Sequence, residues 1–280
     1  MCPAQVQRGR LAAAQRPTAP DAQGAGEPGT LGGREKIKEY KKNKTMSSDP
    51  QLSRTMQFII YSGISFLALL FTLILLPSSI SYYHRFFGKM NPIVVIVFSS
   101  IVGAGALWIL QAKYGFVLFR GKGTIPGVKL SALLATLPGI AIIIADFLIR
   151  YPEDTNVPFP QALLFYPSVG FVAEIIFHVL PLTLLLIILK PLSGWIGREK
   201  LVWVGIILVA VLEPIFQVTF EGKPFTWGSA YTWIHIFAIA FLQLYVFWRY
   251  DFISMYLFRI FYYFYWHILW GVIRLEVLFK

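Results

Sequence analysis

Apolar segments long enough to cross a lipid bilayer recur along this chain from residue 57 to its end. A helix needs about 20 apolar residues to cross the hydrocarbon core. Windows of that kind lie at 57–78, 92–112, 128–149, 162–189, 201–219, 229–248 and 252–273. Because 56% of the residues are hydrophobic, folding in water would leave a large apolar surface exposed. A backbone in lipid must satisfy its own hydrogen bonds, so we predict an all-α, polytopic transmembrane helix bundle of about seven spans.

The start of the chain has a different composition. It is rich in Ala, Gly, Pro and Arg, and it carries the basic run 34–44. Such a segment cannot bury enough apolar surface to fold by itself. We therefore predict a disordered basic N-terminal tail, 1–55, followed by a transmembrane helical domain, 56–280. Translation from Met46 is an alternative, since the residues after it would form a short lead into the first span.

The distribution of basic residues predicts the orientation in the membrane. The formal net charge of +11 comes largely from the tail and from short loops beside the spans, so we predict no nucleic-acid partner. The loops 113–122 and 190–200 are more basic than the loops that alternate with them, and basic loops favour the cytosolic side. We predict an integral, multi-pass membrane protein with a cytosolic N-terminus and membrane lipid as a partner. The sequence does not distinguish an endomembrane from the plasma membrane.

Two ionisable residues, Glu174 and His178, lie inside the most apolar part of the fourth span. An ionisable side chain there costs roughly 2.5 to 3.5 kcal/mol on insertion scales. Residues four apart share one face of a helix, so the carboxylate and the imidazole can pair. The pattern predicts a buried polar site.

Later spans carry further polar residues. Glu213 and Gln217, again four apart, lie in the fifth span. His267 lies deep in the seventh span, which also carries Arg259. We expect Glu174, His178, Glu213, Gln217 and His267 to converge on one polar cavity formed mainly by residues 162–273. Asp146 and Arg150, at the end of the third span, are expected to reach interfacial water.

Three short motifs in these spans resemble the signature of a known family. Residues 173–178 follow the form Glu-Glu-x-x-x-Arg, with Glu174 retained, Ala173 in place of the first glutamate and His178 in place of the arginine. Residues 213–217 stand at a Phe-x-x-x-His motif with both defining positions changed. Residues 267–271 stand at a His-x-x-x-Asn motif that keeps the histidine. In the order and spacing of spans over about 113–275, the chain resembles the CAAX-prenyl-protease and bacteriocin-processing membrane peptidases.

The resemblance implies peptide hydrolysis in or near the bilayer on a membrane-bound or lipidated peptide or protein. In that family the first glutamate is thought to activate water, and the histidines and asparagine to polarise the scissile carbonyl. Ala173 and Gly271 stand where two of those groups belong, and neither offers a side-chain proton acceptor or donor. A compensated site would use Glu174 or Glu213 as the general base, with a histidine orienting the water.

Several alternatives remain open at this stage. Glu174, His178 and His267 provide the two imidazoles and one carboxylate of a hydrolytic zinc site, so a divalent metal such as zinc is a candidate cofactor. The same polar residues are also consistent with a structural pairing of Glu174 with His178 and of Glu213 with Gln217. A catalytically inactive membrane scaffold, a peptide-binding relative, and a small-solute carrier or channel are the alternative functions.

Overall fold

The structure, a computed structural model, describes residues 52–219 and 226–280. The described residues form seven principal helices, some of which contain short π-helical or 3-10 turns. These are α1 (Arg54–Phe87), α2 (Pro92–Tyr114), α3 (Gly121–Ile149), α4 (Ala162–Ile196), α5 (Arg198–Val218), α6 (Trp227–Arg249) and α7 (252–278). Of the predicted tail, residues 1–51 lie outside the described ranges.

The composition of α1 to α6 agrees with a membrane protein. All six are long and apolar enough to cross a bilayer, and no strand occurs in the ranges 52–219 and 226–280. Large apolar side chains are exposed on the outside of the bundle, including Leu148 at 83%, Ile188 at 70% and Ile101 at 69%. Surfaces of this kind are stable in contact with lipid chains. The predicted all-α, polytopic helix bundle is confirmed.

Helix α7 is not among the six, because its tyrosines, tryptophans, arginines and histidine lower its mean hydropathy. It nevertheless lies along α3 from end to end. Near its start, the Ser131 hydroxyl donates to the Ser254 carbonyl at 2.7 Å. Near its end, Arg274 Nε donates to Asp146 at 2.7 Å. The bundle thus has the seven-helix arrangement expected from the sequence.

The start of α7 is fixed by Asp251, which is fully buried. One carboxylate oxygen accepts from the Ser254 backbone N–H at 2.8 Å and from the Ser254 hydroxyl at 2.7 Å. The other accepts from the Thr124 hydroxyl at the start of α3. An N-cap of this kind satisfies the free amides of the first turn. It also sets the register of α7 against α3, and therefore the height at which Arg259 enters the bundle.

The prediction that Asp146 reaches interfacial water is wrong, whereas Arg150 is exposed. Asp146 has no exposed surface, and its two oxygens accept from Arg274 Nε at 2.7 Å and Arg274 Nη2 at 2.9 Å. The indole N–H of Trp270 donates to the same carboxylate at 2.8 Å. A buried partner four helices later in the chain, on α7, removes the need for water, which the sequence around Asp146 does not reveal.

Candidate functional site

Four helices bring polar side chains together in the interior of the bundle. Glu174 and His178 come from α4, Glu213 from α5, Gln243 from α6 and Arg259 from α7. We call these five residues the buried cluster. Each is at most 3% exposed. Their burial in an apolar bundle requires that they satisfy one another, because an isolated charge there is strongly unfavourable.

Arg259 is the central donor of the buried cluster. Its Nη1 and Nη2 donate to the two oxygens of Glu213, both at 2.9 Å, and its Nε donates to Glu174 Oε1 at 2.6 Å. Gln243 contributes its amide N–H to the same Glu174 oxygen and accepts from Arg259 Nη2 at 3.2 Å. The planar guanidinium suits a two-pronged contact with a carboxylate. One arginine therefore joins α4, α5 and α7.

His178 bridges the two glutamates. Its Nδ1 lies 2.7 Å from Glu174 Oε2, as the i,i+4 spacing predicts. Its Nε2 lies 3.3 Å from Glu213 Oε2, within ion-pair range, but the geometry does not form a hydrogen bond. Two carboxylates against one guanidinium leave one negative charge. A second proton on His178 would make the cluster neutral. Both ring nitrogens would then be donors, and Nε2 would face Glu213 with an N–H.

Each of the three motif segments overlaps a π-helical turn: Glu174–Val179 in α4, Ile215–Thr219 at the end of α5 and Phe264–Leu269 in α7. In α4 the Leu180 N–H donates to the carbonyl five residues earlier. Pro181 and Pro214 lie next to two of these turns, and a proline cannot donate the regular helical hydrogen bond. Turns of this type occur frequently at functional sites. Glu174 and His178 both lie within the turn of α4, and both are buried.

The predicted convergence of five residues is only partly observed. Glu174, His178 and Glu213 meet in the buried cluster. Gln217 is itself exposed, but its amide donates to Glu213 Oε1 at 2.9 Å. His267 lies apart from the cluster, where its Nδ1 is 2.7 Å from Asn156 Oδ1 and its ring stacks on Tyr166 at 4.3 Å.

Asn156 reaches His267 because residue 271 is glycine. Asn156 belongs to the loop between α3 and α4. Arg274 holds this loop by donating to the backbone carbonyls of Tyr151 and Pro152 at 2.6 and 2.9 Å. A Cβ added to Gly271 would lie 3.1 Å from Asn156 Nδ2 and 3.2 Å from its Cβ. The space left by the missing side chain at 271 is therefore filled by an asparagine from elsewhere in the chain.

A cavity of about 960 Å³ opens beside this pair, between the end of α1, the α3–α4 loop and the end of α7. Asn156 is 9% exposed, and its Nδ2 has no hydrogen-bond partner among the described residues. The charged residues of the lining are Arg85, Glu153, Asp154 and Glu276. Apolar walls come from residues such as Phe159 and Leu275. The cavity thus has an acidic rim and an apolar wall, and the buried, unpartnered Nδ2 of Asn156 lies at its edge beside Gly271.

The predicted zinc ligands do not form one set. Glu174 and His178 are bonded to each other and to Arg259, while His267 is paired with Asn156. In the described ranges no group of three or more His, Cys, Asp or Glu side chains has an arrangement that could hold a metal ion. A positively charged guanidinium in contact with both glutamates also opposes a divalent cation at that place.

Three residues of the site, Arg259, Gln243 and Asn156, were given no role from the sequence. Gln243 is a lone amide in an apolar span, which is itself a signal of a buried polar partner. Asn156 lies in a polar loop and carries no such signal. Its position depends on the loop folding back against Gly271, and that contact joins residues 115 positions apart.

Comparison with known proteins finds no family model, no curated protein and no solved structure that matches this chain.

Proposed function

We propose that this protein is a diverged, prenyl-protease-like membrane protein that binds a membrane-bound peptide without hydrolysing it. The observation that carries the proposal is the state of the two glutamates. Both oxygens of Glu174 and both oxygens of Glu213 are already paired with Arg259, Gln243, Gln217 or His178. A general base needs a free lone pair within reach of water and substrate. Glu174 has no exposed surface.

The large cavity beside Asn156 supports the binding role. Its unpartnered amide N–H matches a peptide carbonyl, since an unmet buried donor gains most from a new acceptor. Of its three carboxylates, Asp154 pairs with Arg85 and Glu276 pairs with Lys280. The remaining carboxylate, Glu153, favours a peptide that carries a basic residue. Its apolar wall suits a lipid group or an apolar side chain. The ligand class is therefore a basic, membrane-associated peptide.

The test uses the purified full chain in lipid nanodiscs with a fluorescent, basic, prenylated peptide. Anisotropy reports binding, and mass spectrometry of the same sample reports cleavage. We expect saturable binding that weakens at least fivefold in Asn156→Ala, with the peptide intact. Robust cleavage by the wild type would overturn the non-hydrolytic proposal, and equal binding by Asn156→Ala would remove the cavity from it.

Peptide hydrolysis is the second candidate, and the pairing of His267 with Asn156 is the observation that favours it. The resemblance assigns a histidine and an asparagine to polarisation of the scissile carbonyl, and the two side chains are 2.7 Å apart here although residue 271 is glycine. On this alternative Glu174→Gln, which keeps shape but cannot accept the proton, abolishes cleavage without changing expression.

The double change Ala173→Glu with Gln217→His tests whether the absence of these two family residues is what makes the protein a peptide binder and not a peptidase. It restores the two residues that the resemblance associates with water activation and carbonyl polarisation. If the wild type is silent and the cavity geometry is retained, we expect the double variant to gain peptidase activity. Two adjacent carboxylates in an apolar interior repel each other, so the variant is compared with the wild type by its unfolding temperature. A folded but silent double variant would argue against a peptidase-type cavity.

A further inference from the structure

A second cavity lies at the other end of the bundle, where α2 ends and α4 gives way to α5. Its volume is about 390 Å³. Its lining consists of Lys113, Tyr114, Lys190, Ser193, Arg198 and Leu201. No acidic side chain is among the residues that line it, and neither the buried cluster nor His267 reaches it.

Three positive charges share this small space. In the described ranges Lys113, Lys190 and Arg198 form no ion pair with a carboxylate. Like charges held close together repel one another, and an anion between them relieves that repulsion. The electrostatics of the lining therefore select a negatively charged ligand.

The floor of the cavity is held in place without a ligand. Tyr114 is 6% exposed and its hydroxyl donates to the Leu186 carbonyl at 2.7 Å, which ties the end of α2 to α4. The guanidinium of Arg198 lies over the Tyr114 ring at 5.9 Å. Leu201 is 1% exposed and closes the base. A preformed site of this kind loses little entropy when a ligand binds.

The residues beside the cavity are of the kind found near lipid headgroups. The last turn of α4 next to it exposes Trp195 at 92%, Leu192 at 48% and Ile196 at 39%. Tryptophan at the end of a span is typical of the membrane–water interface. The adjacent basic loops place this end on the cytosolic side, where anionic lipids attract basic residues.

We propose that this cavity binds the phosphate group of an anionic phospholipid. Lys113 and Lys190 act as point charges, Arg198 presents paired N–H donors to two phosphate oxygens, and the Ser193 hydroxyl is a further donor. The lipid chains lie along the exposed apolar surface that includes Leu192 and Ile196. This site is independent of the peptide-binding cavity and of the proposed function.

The experiment measures phosphatidylglycerol binding to the full chain by native mass spectrometry in a neutral detergent, with phosphatidylcholine as the zwitterionic reference. The test variant is Lys113→Ala/Lys190→Ala/Arg198→Ala. Each cation near an anionic lipid contributes enough to change affinity about fivefold. We expect the triple variant to bind phosphatidylglycerol on the order of a hundredfold more weakly, with phosphatidylcholine binding unchanged.

A charge-matched control separates a site from a general attraction to basic loops. Lys122→Ala/Lys129→Ala/Lys200→Ala removes the same charge from residues that do not line the cavity, and it should keep wild-type affinity. Equal loss in both triple variants, or no loss in either, would overturn the proposal. Inorganic phosphate and glycerol phosphate are tested as soluble ligands to distinguish a lipid headgroup from free phosphate. A soluble phosphate that binds as tightly as the lipid would show that the site takes free phosphate and would overturn the lipid proposal.

Discussion

Arg259 donates two parallel hydrogen bonds to Glu213, from Nη1 to Oε1 and from Nη2 to Oε2, both at 2.9 Å. The two residues lie on α7 and α5, and the same guanidinium also reaches Glu174 on α4. The contact therefore has a structural consequence beyond one ion pair. Without Arg259, two carboxylates would remain in an apolar interior with only neutral donors and one imidazole to offset them.

We predict that Arg259→Met strongly destabilises the bundle. Removing one partner of a buried ion pair costs about 3 to 5 kcal/mol because the other charge is left uncompensated. Thermal unfolding in detergent measures the effect. The matched control is Arg249→Met, which removes an exposed arginine from the end of α6 and should shift the unfolding temperature little. Similar shifts in the two variants would contradict the role assigned to Arg259.

We predict that Gly271→Ala displaces Asn156 from His267. The added Cβ would lie 3.1 to 3.3 Å from Asn156 atoms, so the side chain must move, at a cost of roughly 1 to 3 kcal/mol for overpacking. Both the affinity for the peptide and the free energy of unfolding should decrease. Gly105→Ala is the control, since a Cβ there meets nothing within 4 Å. Wild-type binding and stability in Gly271→Ala would refute the close approach of Asn156.

We predict that Asp146→Asn destabilises the α3–α7 contact. The change keeps the shape of the side chain but leaves the buried Arg274 guanidinium without its counter-charge, which costs about 3 to 5 kcal/mol. Glu276→Gln is the control because the Glu276–Lys280 pair is exposed, and exposed pairs contribute little. Unfolding temperatures of the two variants decide the matter. An Asp146→Asn protein as stable as wild type would contradict the buried ion pair between Asp146 and Arg274.

We predict that residues 195 and 154 lie on opposite sides of the membrane. They occupy the two ends of the bundle, one at the end of α4 and the other in the loop that precedes α4. The bias of basic residues predicts that residue 195 is cytosolic and that residue 223 is outside. Single cysteines, introduced at 154, 195 and 223 in a Cys2→Ser background, would be labelled with a membrane-impermeant reagent. Labelling of 154 and 195 from the same side would contradict the orientation of α4.

The sequence alone determined which segments form helices in a membrane and which of them pair locally. Long apolar runs set the six spans of α1 to α6, because a backbone in lipid has few alternatives to a helix. The i,i+4 spacing predicted the contacts of Glu174 with His178 and of Glu213 with Gln217, since those distances follow from helical geometry alone.

Only the tertiary structure decided how residues far apart in sequence satisfy one another. Arg259 joins both glutamates, Arg274 removes Asp146 from water, and Asn156 fills the space at Gly271. The sequence left His267 as a plausible member of the central cluster, whereas the packing of α7 places it beside the α3–α4 loop. Such contacts depend on the rotation and register of whole helices, which many weak packing interactions set together, so no local pattern encodes them.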